Sequence, residues 1–178
     1  MDITAKFDID RELKRWALDG ARKALKVGKL HQIADRASES AIAQGAPVEC
    51  EKGCSKCCHY RIDITQTEAD ILSEYTGRTR KTPDRPRDMF QEPIPCPFLV
   101  ENQCTVYPVR PLQCRGYFAL VPAAGSDLVS CRSASLADYR TARLHVLRPP
   151  QALVAALLGL EGASNRFADI RDYFPSVR

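Results

Sequence analysis

The apolar positions of the first 45 residues recur at helical spacing. Asp10 fits the position of an N-cap, and Gly28 can divide the segment into two helices. The members of the stripe are Leu13, Trp16, Ala17, Ala24, Leu30, Ile33, Ala34, Ala37 and Ala41. The pattern therefore predicts a helical N-terminal arm over residues 1–45 that covers a core.

A short strand and a capped helix are predicted further along the chain. Ile62 and Ile64 alternate with polar residues, which is typical of a half-buried strand. Thr65 and Glu68 are three residues apart and match a capping box, and Gly77 fits the end of the helix. The polar, proline-rich stretch that follows predicts a surface loop. We expect these residues to have a structural role.

The C-terminal part, residues 133–178, has a helical pattern again. Ser135, with Asp138 three residues on, fits the start of a first helix, and Pro149 and Pro150 end it. The apolar positions of three predicted helices are Leu136, Tyr139, Ala142 and Val146, then Leu153, Ala156, Leu157 and Leu160, then Phe167, Ile170 and Phe174. We expect these helices to form the second arm of the protein.

Length and composition predict one domain over residues 1–178 in a reducing compartment. The chain is long enough to bury a core, whereas disulfide frameworks belong to small secreted domains that cannot build one. The opening MDITAKFDID is too polar for a signal peptide, and the longest aliphatic run, at 152–160, is too short to cross a bilayer. We therefore expect a cytoplasmic protein without a membrane span.

The formal charge of +4 counts every thiol as neutral. Metal-bound thiols are thiolates, so a loaded cysteine cluster would remove much of the positive charge. The basic balance is therefore a weak reason to expect nucleic acid as a partner, and we do not expect one.

Four cysteines fall within nine positions: Cys50, Cys54, Cys57 and Cys58. In a cytosolic chain such clusters indicate metal binding or redox chemistry. The C-x-x-C pair suits two sulfurs on one ion. Adjacent side chains of extended backbone diverge, so Cys57 and Cys58 either serve two sites, or one ligates while the other packs or forms a bridge. A thioredoxin-like redox pair is disfavoured because no βαβ pattern surrounds it.

Further cysteines follow in the second half of the chain. A hairpin with Asn102 and Gln103 in its turn would bring Cys96 and Cys104 together as a second metal-binding knuckle. Prolines stiffen the approach to Cys114. We expect these distal cysteines to complete the coordination begun by the first cluster.

The predicted metal ligands are Cys50, Cys54, Cys57, Cys58, Cys96, Cys104, Cys114 and Cys131. Cys131 stands alone in a loop, where it either binds metal or packs as an apolar residue. His59 could add a nitrogen, but eight sulfurs already fill two four-coordinate sites. Arginines near Cys114 and Cys131 can offset thiolate charge; they are Arg110, Arg115 and Arg132.

These residues give the fold class: mainly α, with helical arms packed around a loop-rich, metal-organised cysteine centre at 46–132 that has at most short strands. The bound group is zinc or iron, and an iron–sulfur cluster is an alternative that the softness of the donors equally allows. Metal bound there would supply folding energy that the loops lack.

The motifs CEKGCSKCC from Cys50, TQTE from Thr65, CPFL from Cys96 and CTVYPVRPLQCR from Cys104 give a resemblance to a known family. Over residues 50–132 the chain resembles the YkgJ-like cysteine-cluster family, a zinc- or iron-chelating domain named for its CxxCxxCC motif. The resemblance implies that all eight cysteines correspond to the family's cysteines and chelate metal. One branch looks like a bacterial flagellin lysine methylase with an iron–sulfur cluster, so a bacterial protein is expected.

Three functions remain open at this point. The first is a metal-binding protein, the second an iron–sulfur redox or protein-modifying component, and the third an interaction module whose helical arms bind a protein around a structural zinc. No nucleophile–base pair, paired carboxylates or phosphate-binding glycine loop is present, so an enzyme is disfavoured. The C-x3-C-x2-C spacing from Cys50 also occurs in radical enzymes, but the chain is too short for their barrel.

Overall fold

The computed structural model describes residues 7–51, 53–83, 94–135, 137–138, 143–144, 146–162 and 167–175. The helices are α1 Ile9–Ala17, α2 Lys23–Ala43, α3 Gln66–Thr76, α4 Leu112–Gly116, α5 Gln151–Glu161 and α6 Ile170–Tyr173. The strands are β1 Asp63–Ile64, β2 Leu99–Val100, β3 Gln103–Cys104, β4 Phe118–Ala119, β5 Val146–Leu147 and β6 Ala168–Asp169. Short 3-10 helices span Lys56–His59 and Tyr107–Val109. The mainly α class with only short strands is thus confirmed.

The N-terminal arm is divided at residues 18–22, between α1 and α2. Gly28 lies inside α2, so the expected division at that residue was wrong. A single glycine costs a helix interior only about 1 kcal/mol, which packing readily offsets. The turn is formed instead around Asp19, whose carboxylate accepts a hydrogen bond from Ala21 N at 2.9 Å.

The capping residues of α1 and α3 can be compared directly with the helix ends predicted from the sequence. Asp8, two residues ahead of the expected Asp10, caps α1 by accepting a hydrogen bond from Arg11 N. The capping box at the start of α3 is confirmed, because Thr65 and Glu68 each bind the other's backbone N–H. Gly77 ends that helix as predicted.

The strand predicted around Ile62 and Ile64 is confirmed at β1, which pairs with β6 near the other end of the chain. The pairing is antiparallel and places Asp63 opposite Asp169. The segment that follows the first cysteine cluster is therefore tied to the C-terminal segment.

The C-terminal part contains less helix than the pattern predicted. Val146 lies in β5, which pairs with β4, because this apolar residue completes a strand pair. Pro150 is the N-cap of α5. Phe167 precedes β6 and is exposed, so the third predicted helix is reduced to the single turn of α6. Three residues of the first predicted helix lie outside the described residues; they are Leu136, Tyr139 and Ala142.

Two apolar clusters form the interior of the described structure. The cysteine-side core consists of Ile62, Ile64, Ala69, Leu72, Phe98, Val106, Ala168, Ile170, Tyr173 and Phe174. The helical core consists of Val27, Leu30, Ile33, Ala34, Leu112, Leu153 and Leu157. Leu112 belongs to α4, so this helix joins the cysteine region to the helical arms. The assignment of the whole chain to one domain stays a prediction.

The apolar stripe of α2 is covered by residues of its own chain, since its buried positions belong to the helical core. Within the described residues, no helix has both the length and the apolar character that a membrane span requires.

Candidate metal centre

The loop that carries the first four cysteines is folded by its own backbone hydrogen bonds. Cys54 N bonds to Glu51 O, and Cys58 N bonds to Ser55 O, both at 3.0 Å. Gly53 has a φ of +89°, in the left-handed region that L side chains rarely adopt, so the glycine allows the chain to turn here. The loop ends in the 3-10 helix that contains Cys57 and Cys58.

The predicted hairpin is present and adjoins this loop. β2 and β3 pair antiparallel with Cys104 opposite Leu99. Glu101 and Asn102, both at positive φ, form the turn, so Gln103 belongs to the strand and not to the turn as predicted. Cys96 N donates to the carbonyl of Cys58 at 2.7 Å, which fixes the start of the hairpin against the first cysteine loop.

Cys114 is brought to the hairpin by the short helix α4. The helix is anchored at its start by Glu68 of α3, whose Oε1 accepts a bond from Leu112 N at 2.7 Å. At its end, a Cβ on Gly116 would lie 2.7 Å from Pro149 Cα, so only glycine permits this close approach. Both ends of the Cys114 helix are therefore held by neighbouring elements.

We call Cys58, Cys96, Cys104 and Cys114 the inner cysteine group. Burial raises the pKa of Cys114 well above its usual value, and negative charge on the other three thiols raises it further. Burial raises the pKa of Cys96 to about 11, and charge on Cys58 and Cys104 adds to that effect. Each of these thiols thus lies within electrostatic reach of the others.

We call Cys50, Cys54, Cys57 and Cys131 the outer cysteine group. Burial raises the pKa of Cys50 despite a hydrogen bond from Ala119 N at 3.3 Å, and charge on Cys54 and Cys131 raises it too. Cys54 is exposed, whereas Cys131 is buried. Exposure within this group therefore ranges from Cys54, which is open to solvent, to Cys131, which is buried.

Glu49 attaches the Cys131 loop to the outer group. Its carboxylate accepts hydrogen bonds from Cys131 N at 2.8 Å, from Arg132 N at 3.4 Å and from the Ser130 hydroxyl. Burial alone would raise the pKa of Glu49, but these hydrogen bonds outweigh it and lower the pKa below the usual 4.5. The structure thus shows why Cys131, distant in sequence, reaches the first cluster.

The two groups meet at the adjacent pair Cys57 and Cys58. The expectation that these side chains diverge along extended backbone was wrong, because the pair lies in a 3-10 turn and the two thiol groups share a hydrogen bond. That bond raises the pKa of Cys57 and lowers that of Cys58. Their surroundings differ in part: charge on Cys114 and on Cys50 also raises the pKa of Cys57, whereas Arg171 lowers that of Cys58. A division of roles between them stays a prediction.

Positive charge is supplied partly by residues that the sequence indicated. Arg110 lowers the pKa of Cys104 against the larger effect of burial. Arg115 is engaged instead with Asp35 of α2, and Arg132 bridges to Glu51 at 3.1 Å. Guanidinium groups therefore surround the cysteines, but all three are paired with carboxylates, since Arg110 also bridges to Asp35 at 3.4 Å.

His59 lies at the end of the 3-10 helix beside Cys58. Its Nδ1 is 3.1 Å from the carbonyl of Ser55, which orients the imidazole within the turn. This contact agrees with the preference for a structural role, while a role as metal ligand is untested.

Residues that sequence reasoning missed hold the site in place from outside it. They are Glu49, Asp169 and Arg171. Glu49 could have been noticed because it precedes Cys50, but nothing in the pattern marked the other two. Each has a partner more than a hundred residues earlier in the chain, Ile62 for Asp169 and Cys58 for Arg171.

The donor set fits a soft metal by its chemistry. None of the eight cysteines forms a disulfide bond, and thiolates select zinc, copper(I) or iron–sulfur clusters. In the parts of the chain that the structure describes, no three Cys, His, Asp or Glu side chains converge as they stand in an arrangement that could hold an ion. Coordination therefore requires the thiol groups to turn toward a common point, and the metal-organised centre stays a prediction.

Comparison with known proteins supports the same chemistry. Residues 49–134, just under half of the chain, match the model of the CxxCxxCC family, described as a putative zinc- or iron-chelating domain. The matched range contains all eight cysteines. No match was found among curated proteins or solved structures. Residues 49–134 are thus similar to the CxxCxxCC family, and the finer YkgJ-like assignment stays a prediction.

Proposed function

We propose that the protein binds zinc or iron at two neighbouring centres, one on the inner and one on the outer cysteine group. The observation that carries this proposal is that the inner cysteines influence one another's pKa, that Cys50 responds to Cys54 and Cys131, and that Cys57, which responds to both Cys114 and Cys50, joins the two groups. Four thiolates complete a tetrahedral metal site. The family description of residues 49–134 supports metal binding independently of this geometry.

Metal at the inner group would link three separate parts of the chain. Cys58 comes from the first loop, Cys96 and Cys104 from the hairpin, and Cys114 from α4. The raised pKa values of the last three thiols mean that they are protonated at neutral pH without metal. A bound cation reverses this, because it makes the thiolate the favoured form.

Zinc and an iron–sulfur cluster remain the two chemical candidates, and the second would favour a redox or protein-modifying role. Both use cysteine thiolates. An interaction module around a structural zinc is less favoured, because α2 buries its apolar stripe within its own chain. A cytoplasmic location fits the proposal because reducing conditions keep such thiols free.

The test is metal analysis of protein purified anaerobically without chelator, together with its visible absorption spectrum. We expect zinc with no visible absorption, or iron with the charge-transfer bands of an iron–sulfur cluster. Chelation should then lower the melting temperature strongly, since a structural zinc site contributes on the order of 10 kcal/mol to folding. A folded, fully reduced protein that contains neither metal and takes up neither on reconstitution would contradict the proposal.

A further inference from the structure

The C-terminal segment, outside the range matched by the family model, contacts the inner cysteine group. Arg171 donates from Nη2 to the carbonyl of Cys58 at 2.7 Å and from Nε to the carbonyl of Ile94 at 2.8 Å. Cys58 ends the first cysteine loop, and Ile94 immediately precedes the hairpin with Cys96. One guanidinium therefore connects the backbones of two loops that carry inner cysteines.

Asp169 fixes the orientation of this guanidinium. Both of its carboxylate oxygens accept hydrogen bonds from Arg171 Nη1 at 3.1 Å, and Oδ1 also accepts from Arg171 N at 2.8 Å. Oδ2 accepts from Ile62 N at 3.0 Å, and Ile170 N donates to the carbonyl of Ile62. The acid and the arginine are thus anchored to the residue that precedes β1.

Both side chains are almost fully buried, at 5% exposure for Arg171 and 1% for Asp169. The carbonyl of Cys58 receives two donors at 2.7 Å, one from Arg171 and one from Cys96 N. A shift of the arginine would therefore disturb the backbone contact that sets Cys58 against Cys96. Arg171 also places a positive charge beside the thiols that become thiolates when metal binds.

We propose that Asp169 and Arg171 are positioning residues that hold the Cys58 and Cys96 thiols in register for the inner metal ion. Retention of that ion then depends on the C-terminal segment, outside residues 49–134. This inference rests on the proposed function. Residues that orient metal ligands from outside the coordination shell typically control metal affinity about 10–100-fold.

The planar fork of arginine is essential to this arrangement. It reaches two backbone carbonyls and one carboxylate at the same time, in fixed directions. Lysine carries the same charge as a single point on a flexible stem and cannot make this set of bonds. Arg171→Lys should therefore preserve the positive charge but fail to maintain metal retention.

A control pair of similar chemistry lies at the start of α3. Glu161 is buried, accepts a hydrogen bond from Thr67 N at 3.1 Å and forms an ion pair with Lys23 at 2.7 Å. Glu161→Gln removes a buried carboxylate without touching either cysteine loop. This variant therefore shows how much the rate of metal release rises from a general loss of stability alone.

The experiment measures metal transfer from the full-length protein to a chromogenic chelator, well below every melting temperature. The variants are Arg171→Lys, the double substitution Asp169→Asn/Arg171→Met, which leaves no buried unpaired charge, and Glu161→Gln. We expect the first two to release one metal equivalent about 10–100-fold faster than the unaltered protein. These two variants should release their second metal equivalent at the rate of the unaltered protein. Glu161→Gln should release both of its metal equivalents at that same rate. Circular dichroism confirms that each variant is folded.

A purely structural role would give a different result. If release from the Asp169/Arg171 variants accelerates only as much as in Glu161→Gln at the same loss of melting temperature, the positioning role is excluded. Alkylation of the metal-free protein, mapped by mass spectrometry, separates this outcome from failure of the proposed function. Cys58 and Cys96 should react faster relative to Cys54 in the double variant, and unchanged relative rates would overturn the inference even if the protein binds no metal.

Discussion

Three of the four inner cysteines pack against the cysteine-side core, whereas the outer cysteines are attached by isolated contacts. Cys96, Cys104 and Cys114 lie beside apolar residues such as Phe98, which stacks edge-on against Phe174 with ring centroids 5.0 Å apart. The inner group is therefore supported by packed apolar side chains.

The outer group lacks support of this kind in the described structure. Its segments are joined by a β-bridge between Val48 and Leu120, by the hydrogen bond from Ala119 N to Cys50, by the hydrogen bonds of Glu49 and by the ion pair of Arg132 with Glu51. Ordering a poorly supported site on binding costs conformational entropy, which reduces affinity. Identical ligands on unequal scaffolds therefore give sites of unequal affinity. The inner centre should hold metal tightly, and the outer centre should exchange it through the exposed Cys54.

The largest effect is expected from comparing Cys114→Ser with Cys54→Ser. Cys114→Ser should abolish the inner site, with a loss on the order of 10 kcal/mol for a structural zinc centre, plus about 1–3 kcal/mol for a buried hydroxyl that finds no partner. Cys54→Ser should weaken only the outer site and shift the melting temperature little. Metal stoichiometry and urea unfolding measure both changes. Equal losses in the two variants would mean that the cysteines form one centre.

A smaller but more specific effect is expected at the junction of the two groups. Cys58→Ser should lose the inner ion and Cys57→Ser the outer ion, because charge on Cys58 acts on all three other inner thiols, whereas Cys57 is also influenced by Cys50 of the outer group. After replacement of the native metal by cobalt(II), the absorption of the ion that remains should differ between the variants. Identical stoichiometry and identical spectra would contradict the assignment of the two cysteines to separate sites.

The smallest effect concerns Glu161, which provides a reference remote from both groups. Burial raises the pKa of Glu161, but the ion pair with Lys23 and hydrogen bonds from Thr65 and Thr67 outweigh it and lower the pKa below the usual 4.5. Its stabilisation is therefore complete above pH 4.5 and is lost as the pH falls through the lowered value. The difference in unfolding free energy between the unaltered protein and Glu161→Gln should be about 2 kcal/mol at pH 7 and should shrink below pH 4.5. A difference that grows in acid would show that the sign is wrong.

Local signals in the sequence were sufficient for much of the fold. The capping box at Thr65, the end of α3 at Gly77 and the hairpin between Cys96 and Cys104 each depend on residues within a few positions of one another. In such cases backbone conformation is decided by the nearest side chains, so the pattern alone predicts it.

The contacts that define the site could not be predicted in this way. Glu49 reaches Cys131 across 82 positions, and Arg171 reaches Cys58 across 113. A charged residue in a helical pattern normally indicates a solvated face, and nothing in the periodicity distinguishes Arg171 from such residues. Val146 was misassigned for a related reason, since its strand exists only because β4 is available as a partner.

The pairing of Ile62 with Asp169 has a consequence for the newly made chain. The two residues are 107 positions apart, and translation at about 5–20 residues per second needs on the order of ten seconds to cover that distance. During this interval the thiols of Cys50 to Cys58 have been synthesised, but the segment that orders them has not. Metal bound early would then occupy an incomplete site. The metal that the folded protein retains would be selected only after the ribosome has synthesised β6.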